Sequence, residues 1–142
     1  MKLDRLTPDQ WKYLAEKTHL VTFGTHLPSE RVRIDFALVG TDDKGPCGYG
    51  VFKEWDGDTV HWQFGGAFPG TRGTHKSFLY FLGALAYLKE RYKRVTAFVE
   101  NDNTVMLKFA LKAGFRIQGV RVVKGQVLLD HWLEFDQEET KS

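Results

Sequence analysis

Ala67-Phe-Pro-Gly-Thr-Arg-Gly-Thr-His-Lys-Ser77 lies between a strand-like run and a long apolar helical pattern. Before it, Val60-His-Trp-Gln-Phe64 is rich in aromatic and β-branched residues. After it, Phe78 to Glu90 sets Phe78, Leu82 and Leu85 on one helical face, with Phe81 and Leu88 close beside them. Strand, Gly/Pro/Arg loop, helix start: this order turns backbone N–H groups that have no intrahelical acceptor toward an anion. The helix dipole adds roughly half a positive charge at that end. Arg72 and Lys76 add two cations, so the loop reads as a pyrophosphate cradle. Taken alone, the segment also fits an ordinary strand-to-helix turn with two solvated cations.

A second segment bears on the choice. Val95-Thr-Ala-Phe-Val99 reads as a strand, followed by Glu100-Asn-Asp-Asn103, a short helix, and Ala113-Gly114-Phe115. Asn103 suits an N-cap and Gly114 the left-handed position past a helix end. Together the two segments resemble the GNAT superfamily of acetyl-coenzyme A-dependent acetyltransferases. Ala67-x-Pro69 and Arg72-Gly73 match the acyl-coenzyme A signature, and Asn103 followed by Gly114-Phe115 matches the next motif. The resemblance runs from about Val60 to Val120. Its nearest character is that of divergent, phage-encoded acetyltransferase-like proteins, some of which serve virion assembly. Three positions depart from the pattern: His75 and Ser77 stand where the family places small residues, and Ala110 where it often places a Tyr that protonates the departing thiolate.

The resemblance implies acetyl-coenzyme A as acyl donor and an amine as acceptor, joined directly in a ternary complex. It assigns the pyrophosphate to Arg72, Gly73, Thr74, His75, Lys76 and Ser77, and adds Asn103 to the cofactor site. Gly65, Gly66 and Ala67 are small enough to leave backbone accessible to the pantetheine arm, although a β-bulge or strand end explains them too. The N–H near Ala67 is the implied oxyanion donor. Strand alternation puts His61, Gln63 and Gly65 opposite Val60, Trp62 and Phe64. His61 falls where several family members carry the catalytic base, and an imidazole can accept a proton near neutral pH. It reads equally as a strand histidine bonded to a neighbour. Glu54, across the hairpin, is the second candidate base, with a solvated hairpin carboxylate as its plain reading. An assembly protein that has lost turnover is the alternative function.

Other classes find little footing. The net charge is +2, and the basic run Lys89-Glu-Arg-Tyr-Lys-Arg94 ends a helix, where cations suit the dipole. That argues against nucleic-acid binding. The five histidines have no metal-ligand spacing, and no apolar run approaches the ~20 residues that span a bilayer. Cys47 is the single cysteine, which excludes an intramolecular disulfide, and Met1-Lys-Leu-Asp-Arg5 does not look like a secretory signal. A cytoplasmic protein is expected.

The 142 residues suit one domain. Thr7-Pro8-Asp9-Gln10 opens a helix with a capping box, and Leu6 with Trp11 forms a hydrophobic staple. The helix runs to about Lys17 or Thr18, and the loop from Thr18 to Glu30 is implied to wall the acceptor groove. Strands are expected at 33–39, 47–55, 59–64, 95–99, 115–123 and 126–135, the last two joined by Lys124-Gly125, with a polar tail at 136–142. The order is helix, three meander strands, helix, strand, helix, two strands. It predicts an α/β domain with a mixed, mostly antiparallel sheet, splayed central strands and helices on its faces. This is also the order the resemblance implies.

Overall fold

A computed structural model describes residues 1–17, 34–68 and 75–135. The elements are β1 (Lys2–Leu6), α1 (Pro8–Lys17), β2 (Phe36–Asp42), β3 (Gly45–Glu54), β4 (Thr59–Ala67), α2 (His75–Lys89), β5 (Arg94–Glu100), α3 (Thr104–Ala113), β6 (Arg116–Val123) and β7 (Gln126–Glu134). The strands form one sheet in the order β1-β2-β3-β4-β5-β7-β6. The pairings of β1 with β2, β2 with β3, β5 with β7 and β6 with β7 are antiparallel, and that of β4 with β5 is parallel. The expected mixed, mostly antiparallel α/β sheet is therefore present. The sequence reading missed β1. Only Leu3 and Leu6 are apolar in that strand, too few to signal alternation; backbone pairing with Thr41 to Ala37 of β2 defines it.

By contact the chain divides into two compact units: Met1–Lys53 with Gln63–Leu85, and Glu54–Trp62 with the chain from Ala86 onward. In the first unit α1 starts as its sequence predicts. The Gln10 N–H donates to Thr7 Oγ1 at 3.2 Å and the Thr7 N–H to Gln10 Oε1 at 2.9 Å. This capping box satisfies two donors at once. Trp11 and Ala15 then enter a core with Ala37, Val39, Tyr49, Val51 and Phe68, against which Leu6, Leu14, Ile34 and Phe64 pack. Trp11 stacks on Tyr49 at 5.1 Å. The glycines Gly40 and Gly48 make room for the Tyr80 ring of α2, whose hydroxyl donates to Leu38 O at 2.8 Å.

In the second unit β4 and β5 pair in parallel over the first four residues of each, from Thr59↔Arg94 to Trp62↔Ala97. β5 then runs antiparallel to β7 along its whole length, Arg94↔Glu134 to Glu100↔Leu128. The β6–β7 hairpin turns at Lys124 and Gly125, both with positive φ (50° and 81°), as a tight two-residue turn requires. Helix α3 is bounded as expected. Asn103 Oδ1 accepts from the Met106 N–H at 3.2 Å, and Gly114 adopts φ 99° with its N–H directed at Ala110 O and Leu111 O. No helix among the described residues is long and apolar enough to cross a membrane.

Candidate functional site

Only the two ends of the 67–77 stretch fall among the described residues. β4 runs to Ala67, three residues beyond the predicted end, because Gly65, Gly66 and Ala67 continue the strand instead of breaking it. The space beside Gly66 is occupied: a Cβ there would sit 3.0 Å from Tyr49 Oη. Phe68 closes the strand, its N–H donating to Cys47 O at 3.0 Å. Helix α2 opens at His75, so His75, Lys76 and Ser77 form its first turn. Pro69 to Thr74, including Arg72, Gly73 and Thr74 of the expected cradle, lie outside the described residues, as do the 18–30 loop and the 136–142 tail.

Within that first turn His75 is exposed and Lys76 and Ser77 are half-buried. Lys76 has a defined counter-ion: its ammonium lies 2.6 Å from Asp42 Oδ2 at the end of β2. The other oxygen, Asp42 Oδ1, accepts the Lys44 N–H at 2.9 Å. The Lys76 ammonium foremost, then the Lys44 N–H, holds the Asp42 carboxyl down at about 2, so it is anionic throughout the neutral range. Asp42 in turn raises the pKa of Lys76. Burial pushes the Cys47 thiol up, with Asp42 adding to it, so the thiol stays protonated and its Sγ–H points to Gly45 O. The sequence reading named Lys76 and missed Asp42. Nothing in a linear sequence joins positions 42 and 76.

His61 sits inside the second unit with only 7% of its surface exposed. Its Nδ1 is 2.8 Å from Thr96 Oγ1, the residue opposite it in the parallel β4–β5 register. Trp55 stacks over the ring at 4.9 Å and Phe98 meets it edge-on at 5.0 Å. The Thr96 hydroxyl can accept from a protonated Nδ1 or donate to an unprotonated one, so the contact fits either tautomer; Nε2 can accept a proton only in the tautomer whose Nδ1 carries the hydrogen. Glu54 ends β3 and accepts a hydrogen bond from the Tyr92 hydroxyl. Thr96 and Tyr92 are the partners sequence reasoning did not find, although the β5 register would have supplied Thr96 once the parallel pairing was known.

Asn103 spends its side-chain oxygen on the cap of α3. About two turns further along the same helix, Ala110 is the buried residue of α3, at 1% exposure, and its carbonyl receives the Phe115 N–H at 2.9 Å. Where the family often carries a Tyr, this chain has a small side chain in close packing.

No protein-family model and no curated protein matches the chain in sequence. Solved structures do match in shape. A ribosomal-protein-S18-alanine N-acetyltransferase from Escherichia coli aligns at TM-score 0.72 and 11% identity, covering 96% of this chain and 94% of its own. A spermidine/spermine N-acetyltransferase from Vibrio cholerae, in mutant form, aligns at TM-score 0.71 and 13% identity over 99% and 98%. The chain has the GNAT fold. A GNAT family acetyltransferase from Elizabethkingia anophelis with acetyl-coenzyme A bound aligns at TM-score 0.63 and 16% identity, covering 80% of this chain and 94% of its own. In this chain β4 ends at Ala67 and α2 begins at His75, a strand followed by a helix as the sequence predicts on either side of the loop. The phage origin expected from the sequence has no support among these neighbours.

Proposed function

We propose that the chain is a divergent GNAT-superfamily N-acetyltransferase that moves an acetyl group from acetyl-coenzyme A to an amine by direct transfer in a ternary complex. One observation carries this reading. On a GNAT fold, the Ala67-x-Pro69 and Arg72-Gly73 signature spans from the end of β4 at Ala67 to the start of α2 at His75. The neighbour with acetyl-coenzyme A bound supports the donor, and the neighbours named as spermidine/spermine and ribosomal-protein-S18-alanine N-acetyltransferases support an amine as acceptor. We take the chain as one domain, since β3, β4 and α2 each contribute residues to both compact units. The lone thiol, with no disulfide partner, fits a cytoplasmic setting.

In this reading the pyrophosphate rests on Arg72, Gly73, Thr74 and the first turn of α2 (His75, Lys76, Ser77). Gly65, Gly66 and Ala67 face the pantetheine arm with backbone, and Asn103 contributes to the cofactor site by fixing the start of α3. The acceptor nitrogen attacks the thioester carbon, and the oxyanion that forms is taken by a backbone N–H near Ala67. The carbon–sulfur bond then breaks and the thiolate leaves. The amine proton passes to His61, directly or through water, with Glu54 as the second candidate base. A thiol pKa near 8.5 makes the thiolate a tolerable leaving group, so a chain with Ala110 in place of a Tyr acid transfers slowly.

Calorimetric titration with acetyl-coenzyme A, followed by thiol release with a panel of primary amines, tests the proposal. Saturable binding and amine-dependent release are expected. No saturable binding at millimolar coenzyme overturns the cofactor assignment; binding without release under any amine overturns the transfer.

A further inference from the structure

The Asp42–Lys76 ion pair sets a fixed carboxylate beside the first turn of α2. Both partners are anchored. Asp42 Oδ1 is held by the Lys44 N–H at 2.9 Å, within the β2–β3 turn that Gly45 closes at φ 122°. Lys76 lies one helical turn before Tyr80, whose ring fills the space over Gly40 and Gly48 and whose hydroxyl is bonded to Leu38 O. Each backbone is held by its own contacts, and Lys76 reaches Asp42 on its four-carbon stem. Asp43, exposed and adjacent in the chain, adds a second negative charge near that ammonium.

We propose that Asp42 sets the affinity of this chain for the coenzyme pyrophosphate, by holding the Lys76 ammonium as a counter-ion that the phosphates must share or draw away. The inference rests on the reading of the first turn of α2 as the phosphate site. An ammonium has three donors, so Lys76 can keep one on Asp42 while it offers others to phosphate. The carboxylate charge remains in place either way and repels the incoming anion. Both side chains are partly open to solvent, 30% for Lys76 and 18% for Asp42, so salt screens the effect without abolishing it. Asp42 therefore acts opposite in sign to the cations around it.

The test is titration of coenzyme A into the wild type, Asp42→Asn, Asp43→Asn and Lys76→Ala, and into the Asp42→Asn/Lys76→Ala double variant, at low salt and at high salt. Asparagine can keep an oxygen for the Lys44 N–H while it removes the charge and places an NH2 group where Oδ2 met the Lys76 ammonium. Asp42→Asn is expected to tighten binding by about tenfold at low salt, with a smaller gain at high salt. The gain shrinks when Lys76 is Ala, and Asp43→Asn gives less than Asp42→Asn. Structural damage would loosen binding, so the direction of change is itself diagnostic. Unchanged or weaker binding by Asp42→Asn, with the wild type binding normally, overturns this inference and leaves the coenzyme site standing. Binding by Asp42→Asn alone supports both. Absence of binding in every form overturns the coenzyme site and this inference with it.

Discussion

Gly48→Ala tests whether the packing of Tyr80 of α2 against β2 and β3 is as tight as the geometry says. A Cβ at position 48 would lie 2.6 Å from Tyr80 Cγ, 2.8 Å from Cδ2 and 3.0 Å from Cβ. Carbon atoms pack at about 3.5–4.0 Å, so the ring must retreat by about 1 Å. It has no easy path. Tyr80 is 3% exposed, its Cβ is fixed by the helix, and its hydroxyl is tied to Leu38 O at 2.8 Å. Overpacking of this kind costs about 2–3 kcal/mol. Against it stands the usual gain from replacing glycine, about 0.4–1 kcal/mol, which comes from the unfolded chain and applies because Gly48 has no positive φ. The net expectation is a loss of about 2 kcal/mol, or about 6–8 °C in Tm for a chain of this size. Urea and thermal unfolding measure it. Gly119→Ala is the internal control: nothing lies within 4 Å of its added Cβ and its φ is ordinary, so stability should hold or rise by about 0.5 kcal/mol. In a Tyr80→Leu background the cost of Gly48→Ala should fall close to zero. A neutral or stabilising Gly48→Ala in the native background refutes the claim that the ring is held, and with it the argument that Lys76, one turn earlier on the same helix, has a fixed backbone.

His61→Ala should cut any amine-dependent turnover about a hundredfold with little change in coenzyme affinity, measured by steady-state kinetics beside calorimetry; equal turnover removes His61 as base and leaves Glu54 or water. Ala110→Tyr should destabilise by about 1–3 kcal/mol in urea unfolding, because the site is closed, and a fold of unchanged stability with faster turnover would show instead an open site that lacks its acid. Asn103→Ala should cost about 1 kcal/mol through loss of the cap on α3, read by the same unfolding curves.

What could be read from the sequence followed the range over which each signal acts. Capping is local, so Thr7, Gln10, Asn103 and Gly114 took the roles their types predict, within three or four residues of the groups they satisfy. The hairpin at Lys124-Gly125 was legible for the same reason. β1 was not, because a five-residue strand with two leucines is defined by its partner. The strand–loop–helix order around Ala67 was legible because apolar period changes from two to near four across it. The chemistry of the side chains was not. His61 and Lys76 could be named from their positions in a motif, but their properties depend on Thr96, thirty-five residues on, and on Asp42, two whole strands earlier. In a linear reading Lys76 is one more cation in a phosphate loop. Paired to a carboxylate fixed by its own turn, it is a cation whose charge is already partly engaged. The same residue can therefore strengthen or limit anion binding according to a neighbour that only the sheet brings to it, and removing that neighbour's charge while keeping its oxygen is the perturbation that separates the two.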